Sequence, residues 1–266
     1  MTEFGFIGAG NMGGALATAV SKSTKSVLIA DFFADKAAQL ADKLGVKSAD
    51  NETIAKDCKY IYLGVKPQMM AEMLGSISEV LKTREDVVLV TMAAGLSIDT
   101  IRKMSGGDYK VIRIMPNTPV LVSEGEVLYS PAENVSEEDL GFFIENMKFA
   151  GRLNRIDESL MDAGCSVSGC GPAFVYMFIK GLAQGGEACG IDAETSLELA
   201  AQTVIGAAKL LSESGTDPDI LIKNVCSPGG STIEGVKSLE ADGLEGTVKK
   251  AVEAAYKRNI ELGKVK

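Results

Sequence analysis

FGFIGAGNMGGAL, from Phe4 to Leu16, decides the fold. A short apolar run (Phe4, Phe6, Ile7) breaks into Gly8-Ala9-Gly10-Asn11-Met12-Gly13 and then into Gly14-Ala15-Leu16-Ala17. That is a strand entering a glycine turn that opens a helix. Gly8 permits the tight turn, Gly10 lets a pyrophosphate approach the backbone, and Gly13 lets the helix pack close to the sheet. The helix N-terminus offers free N–H groups and a partial positive charge to phosphates. GxGxxG is a weak signal in a chain with 29 glycines, but here it sits between a strand and a helix, as dinucleotide binding requires.

The residues that follow extend the pattern. Ser26-Val27-Leu28-Ile29-Ala30-Asp31 reads as a second strand ending in a carboxylate, 18 residues beyond Gly13. That spacing suits the acidic residue that accepts hydrogen bonds from ribose hydroxyls and repels a 2′-phosphate. Phe32, Phe33, Ala34 and Asp35 follow, with no cation before Lys36, so NADH is the expected donor; the alternative is that Asp31 caps the next helix. A helix is expected over Ala34–Leu44 with Gly45 as its stop, and a short one from Asn51. Tyr60–Val65, Val87–Met92 and Val111–Met115 read as strands running into Lys66-Pro67, Ala93-Ala94-Gly95 and Pro116–Pro119. Continuous apolar strands alternating with helices imply a mostly parallel sheet covered on both faces, with ligands at the strand C-termini.

Composition narrows the function. A chain of 266 residues, 46% apolar, suits two modest domains with real cores. A net charge of −9 argues against nucleic acid and acidic membranes. Five scattered cysteines without a CxxC pair suggest a reducing, cytoplasmic setting. The start leaves no room for a signal peptide, and no apolar run approaches membrane-spanning length. The chain has no histidine. Ser-His-Asp and Cys-His hydrolases, most zinc sites and histidine-assisted dehydrogenases are thereby excluded, and no metal site is expected.

Beyond Asp157 no convincing strand remains, so residues 1–157 form the expected dinucleotide-binding domain and 158–266 an all-helical one. Helices are expected at Pro172–Cys189, Ala193–Ser212, Pro218–Val225, Thr232–Glu240 and Gly243 to about Leu262. The first is apolar nearly all round (Phe174, Val175, Tyr176, Met177, Phe178, Ile179, Leu182), which calls for cover from a second subunit. Between the helices lies Cys226-Ser227-Pro228-Gly229-Gly230-Ser231-Thr232. Pro-Gly-Gly frees the backbone, and the N–H groups from Gly229 to Thr232 converge with nearby hydroxyls into a site sized for a carboxylate or phosphate; the alternative is an N-cap turn between two helices.

NVCSPGGSTIEGVKSLE around this turn resembles the signature of pyrroline-5-carboxylate reductase. FGFIGAGNMGGAL, VKPQ (Val65–Gln68), RIMPNTP (Arg113–Pro119) and SGCGPAF (Ser168–Phe174) resemble further blocks of that family in the same order. The resemblance implies a Rossmann domain, a helical dimerisation domain, and dimers that assemble further, as in a ring. It implies hydride transfer from NAD(P)H to the C=N bond of 1-pyrroline-5-carboxylate, giving L-proline. It also implies substrate contacts from Glu158, Asn224, Ser227, Gly229, Gly230, Ser231 and Thr232, with the Thr232 hydroxyl reaching the ring nitrogen. Ile7, Gly8, Gly10, Asn11, Met12, Gly13, Asp31, Asn51, Val65, Lys66, Pro67, Ala93, Ala94 and Gly95 match the cofactor positions. Two departures stand out: Asp31-Phe32-Phe33 where many members place a polar or basic pair, and Ser166 and Cys170 at small-residue positions.

The chemistry agrees with a chain that lacks imidazole. A ketone needs a positioned acid for its developing alkoxide, whereas a protonated cyclic imine already carries the charge that draws hydride. Two rivals fit less well. β-Hydroxyacid dehydrogenases need a lysine and an asparagine on the interdomain helix, and aligning Gly169 and Gly171 puts Val175 and Ile179 there. A dinucleotide sensor without turnover would have no use for the Ser227–Thr232 turn.

Overall fold

The computed structural model describes residues 2–264. Strand β1 (Thr2–Ile7) leads through the glycine turn into α1 (Asn11–Ser23), then β2 (Val27–Ala30), α2 (Ala34–Leu44), β3 (Lys47–Ser48), α3 (Asn51–Asp57) and β4 (Cys58–Leu63). Next come α4 (Met70–Leu81), β5 (Val88–Thr91), α5 (Ile98–Ser105), β6 (Lys110–Pro116), β7 (Gly125–Pro131), α6 (Glu137–Met147), β8 (Gly151–Arg155) and α7 (Met161–Gly164). A π-helical turn at Cys165–Gly169 precedes α8 (Gly171–Ala188), α9 (Ala193–Ser214), α10 (Pro218–Val225), α11 (Ser231–Ala241) and α12 (Leu244–Lys264).

The strands form one eight-stranded sheet in the order β3-β2-β1-β4-β5-β6-β7-β8, parallel except where β6 meets β7. The order reverses beside β1, which puts the glycine turn at a topological switch point, where such sheets bind ligands. Side chains alternate between two cores. Phe4, Phe6, Tyr60, Tyr62, Val88, Val90, Ile112 and Ile114 face α1 and α6, while Ile7, Ile61, Leu63, Leu89 and Val111 pack with α3, α4 and α5.

β3, β7 and β8 were not expected. β6 and β7 are joined by a 3-10 turn (Thr118–Val122) instead of a helical crossover, so β7 must run back antiparallel. β8 (GRLNR) carries one apolar residue at the sheet edge, a pattern that gives periodicity nothing to detect. The expected strands at Ser26–Asp31, Tyr60–Val65 and Val87–Met92 all end earlier, leaving Asp31, Val65 and Met92 in the loops at their C-termini.

By its contacts the chain divides into two compact units: residues up to Cys170 with those from Ala255 onward, and Gly171–Ala254. The change in composition near Asp157 and the packing boundary at Cys170 therefore do not coincide. Residues 158–170 and the last part of α12 pack with the sheet unit. The helical unit holds no strand. Its central helix α8 buries only Ala183, while Tyr176 is 60% and Met177 74% exposed. The apolar face of α8 is bare within one chain, as a helix awaiting a second subunit would be.

Candidate active site

In the sheet unit, the glycine turn is fixed by contacts that leave no room for side chains. Gly8 has φ +108°, and a Cβ there would lie 2.6 Å from the Gly64 carbonyl oxygen. A Cβ on Gly13 would overlap the Gly8 carbonyl oxygen. The Gly8 N–H donates to Ala30 and the Gly64 N–H to Ile7, both at 2.8 Å, stitching the turn across the ends of β2, β1 and β4. Gly10 differs: nothing lies within 4 Å of where its Cβ would be. It is the N-cap of α1, and no side chain caps that helix. Open space above uncapped N–H groups is the cradle a pyrophosphate requires, so the residues present fit a dinucleotide.

Sequence reasoning missed Gly64. It sits inside an apolar run that reads as strand, and only the close approach to Gly8 and Gly13 shows why a side chain is excluded there.

Asp31 lies at the end of β2 with its carboxylate largely buried. Oδ2 accepts the Ala9 N–H at 2.7 Å, Oδ1 accepts the Phe33 N–H at 3.1 Å, and Lys36 Nζ stands 3.8 Å from Oδ2. The N-cap of α2 is Phe33, so Asp31 holds the turn before that helix and the glycine loop together. Phe32 and Phe33 meet edge to face at 5.2 Å and are exposed.

The other cofactor candidates cluster at the same edge of the sheet. Asn51 opens α3 behind the Asp50 cap. Val65 and Lys66 follow β4, and Pro67 begins a 3-10 turn. Ala93-Ala94-Gly95 follow β5, with Gly95 at φ +75°. A Cβ on Gly95 would come 3.2 Å from Gly263 of α12. Ile7 is 2% exposed and its carbonyl accepts the Gly64 N–H, so it supports the turn.

Glu158 belongs to the sheet unit. Its Oε1 accepts the Ile98 N–H at 2.8 Å, at the start of α5, and pairs with Arg113 at 3.2 Å. Ser166, at 0% exposure, donates to the Asp162 carbonyl at 2.8 Å, consistent with a packing role for that departure.

In the helical unit, Asn224 is near the end of α10 and exposed. The chain then turns through Gly229 (φ +72°), with the Gly230 N–H donating to the Ser227 carbonyl at 3.0 Å. Gly230 is the N-cap of α11 and no side chain caps it. Ser231 and Thr232 are therefore the first helical residues, and neither caps the helix with its side chain. The helix start is exposed, with uncapped N–H groups and neighbouring hydroxyls, the chemistry that suits an anion.

Comparison with known proteins agrees with both halves. Residues 158–262 match the family profile described as pyrroline-5-carboxylate reductase dimerisation, and residues 3–95 match one described as NADP oxidoreductase coenzyme F420-dependent. A pyrroline-5-carboxylate reductase from Aquifex aeolicus is 39% identical, covering 97% of this chain and 96% of its own. The chain belongs to the pyrroline-5-carboxylate reductase family. Two solved structures share its fold over nearly full length. The pyrroline-5-carboxylate reductase from Coxiella burnetii has a TM-score of 0.92, with 28% identity and 99% of each chain covered. The Plasmodium falciparum pyrroline carboxylate reductase, solved with NADP bound, has a TM-score of 0.85, with 31% identity and 98% of each chain covered.

Proposed function

We propose that this chain reduces 1-pyrroline-5-carboxylate to L-proline with a hydride from NAD(P)H, the last step of proline biosynthesis. The observation that carries the reading is the uncapped start of α11 beside Ser227, Ser231 and Thr232. A nicotinamide-binding sheet alone would serve many reactions, whereas this turn supplies N–H donors for a small carboxylate. Ser227, Gly229, Gly230 and Ser231 hold that carboxylate, and Asn224 lines the approach. The Thr232 hydroxyl bonds the ring nitrogen, which enters cationic, and Glu158 favours that charged form.

The dinucleotide, when bound, supplies the hydride. Gly8, Gly10, Asn11, Met12 and Gly13 cradle its pyrophosphate, Lys66 adds positive charge from an exposed position, and Asn51, Val65, Pro67 and Ala93–Gly95 line the remainder. Positioning and exclusion of water provide most of the rate. Asp31 favours NADH over NADPH: a carboxylate repels a 2′-phosphate, and Phe32 and Phe33 offer it no charge. Lys36 pulls the other way, but it is already within ion-pair distance of Asp31.

The active unit is a homodimer in which a second copy covers α8, and such dimers assemble further into a ring. The protein works in the cytoplasm; among the described residues no helix is long and apolar enough to cross a membrane. Steady-state oxidation of NADH and of NADPH with pyrroline-5-carboxylate tests the reading. Turnover with lower KM for NADH is expected. Oxidation absent with both donors, or NAD reduction by a hydroxyacid instead, overturns it.

A further inference from the structure

Arg113 lies in β6, inside the RIMPNTP block, and none of the roles above uses it. Its side chain is 7% exposed. The guanidinium spans two carboxylates one helical turn apart: Nη1 donates to Glu158 Oε1 at 3.2 Å and Nη2 to Asp162 Oδ1 at 3.4 Å. Among the described residues its Nε is buried with no partner. A buried, incompletely satisfied ion cluster is a poor way to stabilise a fold. What it does achieve is geometry.

Glu158 receives its two hydrogen bonds on one oxygen. Oε1 takes the Arg113 guanidinium and the N–H of Ile98, the first residue of α5, whose leading segment follows the Ala93–Gly95 loop. Among the described residues, Oε2 accepts no hydrogen bond, and the side chain is 30% exposed. Asp162, the other arm of the clamp, is anchored in turn: its carbonyl accepts Asn259 Nδ2 at 3.2 Å and Ser166 Oγ at 2.8 Å. The carboxylate is thus gripped from one side by a cation and a helix N-terminus, with its second oxygen left available.

We propose that Arg113 is a positioning residue for Glu158, holding Oε1 so that Oε2 faces the cationic imine as its counter-charge. This rests on the function proposed above. It adds that the substrate-binding carboxylate is oriented from the sheet and tied to the helix that follows the Ala93–Gly95 loop. A carboxylate free to rotate would offer the same charge without a fixed direction and would lose binding in the ordering step.

A double-mutant cycle on the full-length enzyme tests it. Arg113→Gln is expected to raise KM for pyrroline-5-carboxylate about tenfold, the size of one hydrogen bond to a charged group. Its affinity for NADH, titrated directly by cofactor fluorescence, is expected to stay within about twofold. Glu158→Gln should have a similar effect, the double variant should be no worse than Glu158→Gln, and Arg113→Lys should recover part of the loss. Additive losses, or an unchanged imine KM in a folded Arg113→Gln protein, overturn the proposal. If Arg113→Gln does not fold, Ile98 provides the second route. Ile98→Pro removes the N–H at a helix position that accepts proline, and Ile98→Ala removes the side chain but keeps the donor. The proline variant should have the higher imine KM; equal values overturn the proposal. A wild-type enzyme inactive on pyrroline-5-carboxylate with both donors overturns the functional reading, and the role of Arg113 with it.

Discussion

Two glycine-rich turns each open a helix in this molecule, and they are built in opposite ways. The Gly8–Gly13 turn is locked into the sheet unit: Gly8 and Gly13 exclude side chains through contact with Gly64 and with each other, and Asp31 grips Ala9 from β2. The Ser227–Thr232 turn is exposed. Among the described residues nothing beyond its chain neighbours lies within 4 Å of a Cβ built on Gly229, and one on Gly230 would first meet Ser227. The first is shaped by the fold and can receive a pyrophosphate at once. The second has its donors arranged but no surrounding wall within its own unit, in keeping with a unit whose central helix also lacks cover.

The largest contrast should come from placing the same methyl group in each turn. Gly13→Ala drives a Cβ into the Gly8 carbonyl, a backbone atom that cannot rotate away. A cost of about 3 kcal/mol is expected, with cofactor affinity falling about a hundredfold as the turn opens. Gly229→Ala meets no clash and suffers only from its positive φ, about 1–2 kcal/mol. NADH binding should survive it. Thermal unfolding with NADH titration checks both, and equal loss of NADH affinity in the two variants would erase the distinction between the two turns.

This contrast also explains what the sequence disclosed. GxGxxG between an apolar strand and a helix, with Asp31 at the right distance, revealed the cofactor half because its constraints are local along the chain. The turn before α11 was legible for the same reason, since Pro-Gly-Gly before Ser-Thr is a local signal. β7 and β8 were not: an antiparallel reversal through a 3-10 turn and a polar edge strand leave no periodicity to read. Gly64 was hidden because its reason is a contact with residues some fifty positions earlier. The grip of Arg113 on Glu158 and Asp162 likewise spans 45 and 49 positions.

Thr232→Ala sharpens the comparison from the other side. The hydroxyl sits at the start of α11, so kcat/KM for pyrroline-5-carboxylate should fall about ten- to a hundredfold. NADH affinity should be nearly unchanged. Lost cofactor binding in this variant would reassign the second turn to the dinucleotide. A smaller effect is expected at Asp31. Asp31→Ser should move the ratio of kcat/KM toward NADPH by about tenfold or more as like-charge repulsion is removed. Because Asp31 also accepts the Ala9 N–H, NADH affinity should fall as well. Asp31→Asn keeps an acceptor for Ala9 without the charge, so it should gain NADPH use with less loss of loop order. Unchanged selectivity in both variants would confine Asp31 to holding the loop.

The last contrast concerns stability, and it separates the two units by pH. Asp139, at the start of α6, is 4% exposed in the sheet unit. Burial pushes its carboxyl up, but hydrogen bonds from Lys110, Lys59 and Ser136 more than offset that and hold it at about 2. Both lysines lie 2.6 Å from its oxygens, on β6 and β4, while the Tyr60 hydroxyl donates to its backbone carbonyl. The folded-state pKa is therefore below the unfolded value near 3.8. The stabilisation, about 2 kcal/mol, is complete above that unfolded value and is lost as pH falls through about 2. The ion pairs of the helical unit, such as Lys209–Glu213 and Lys237–Glu234, are exposed pairs within single helices and should add little acid sensitivity. Urea unfolding between pH 5 and pH 2 should show an acid loss that Asp139→Asn flattens. An acid limb unchanged by that substitution would mean the charges governing low-pH stability lie elsewhere in the chain, and the contrast between a wired sheet unit and a lightly paired helical unit would fail.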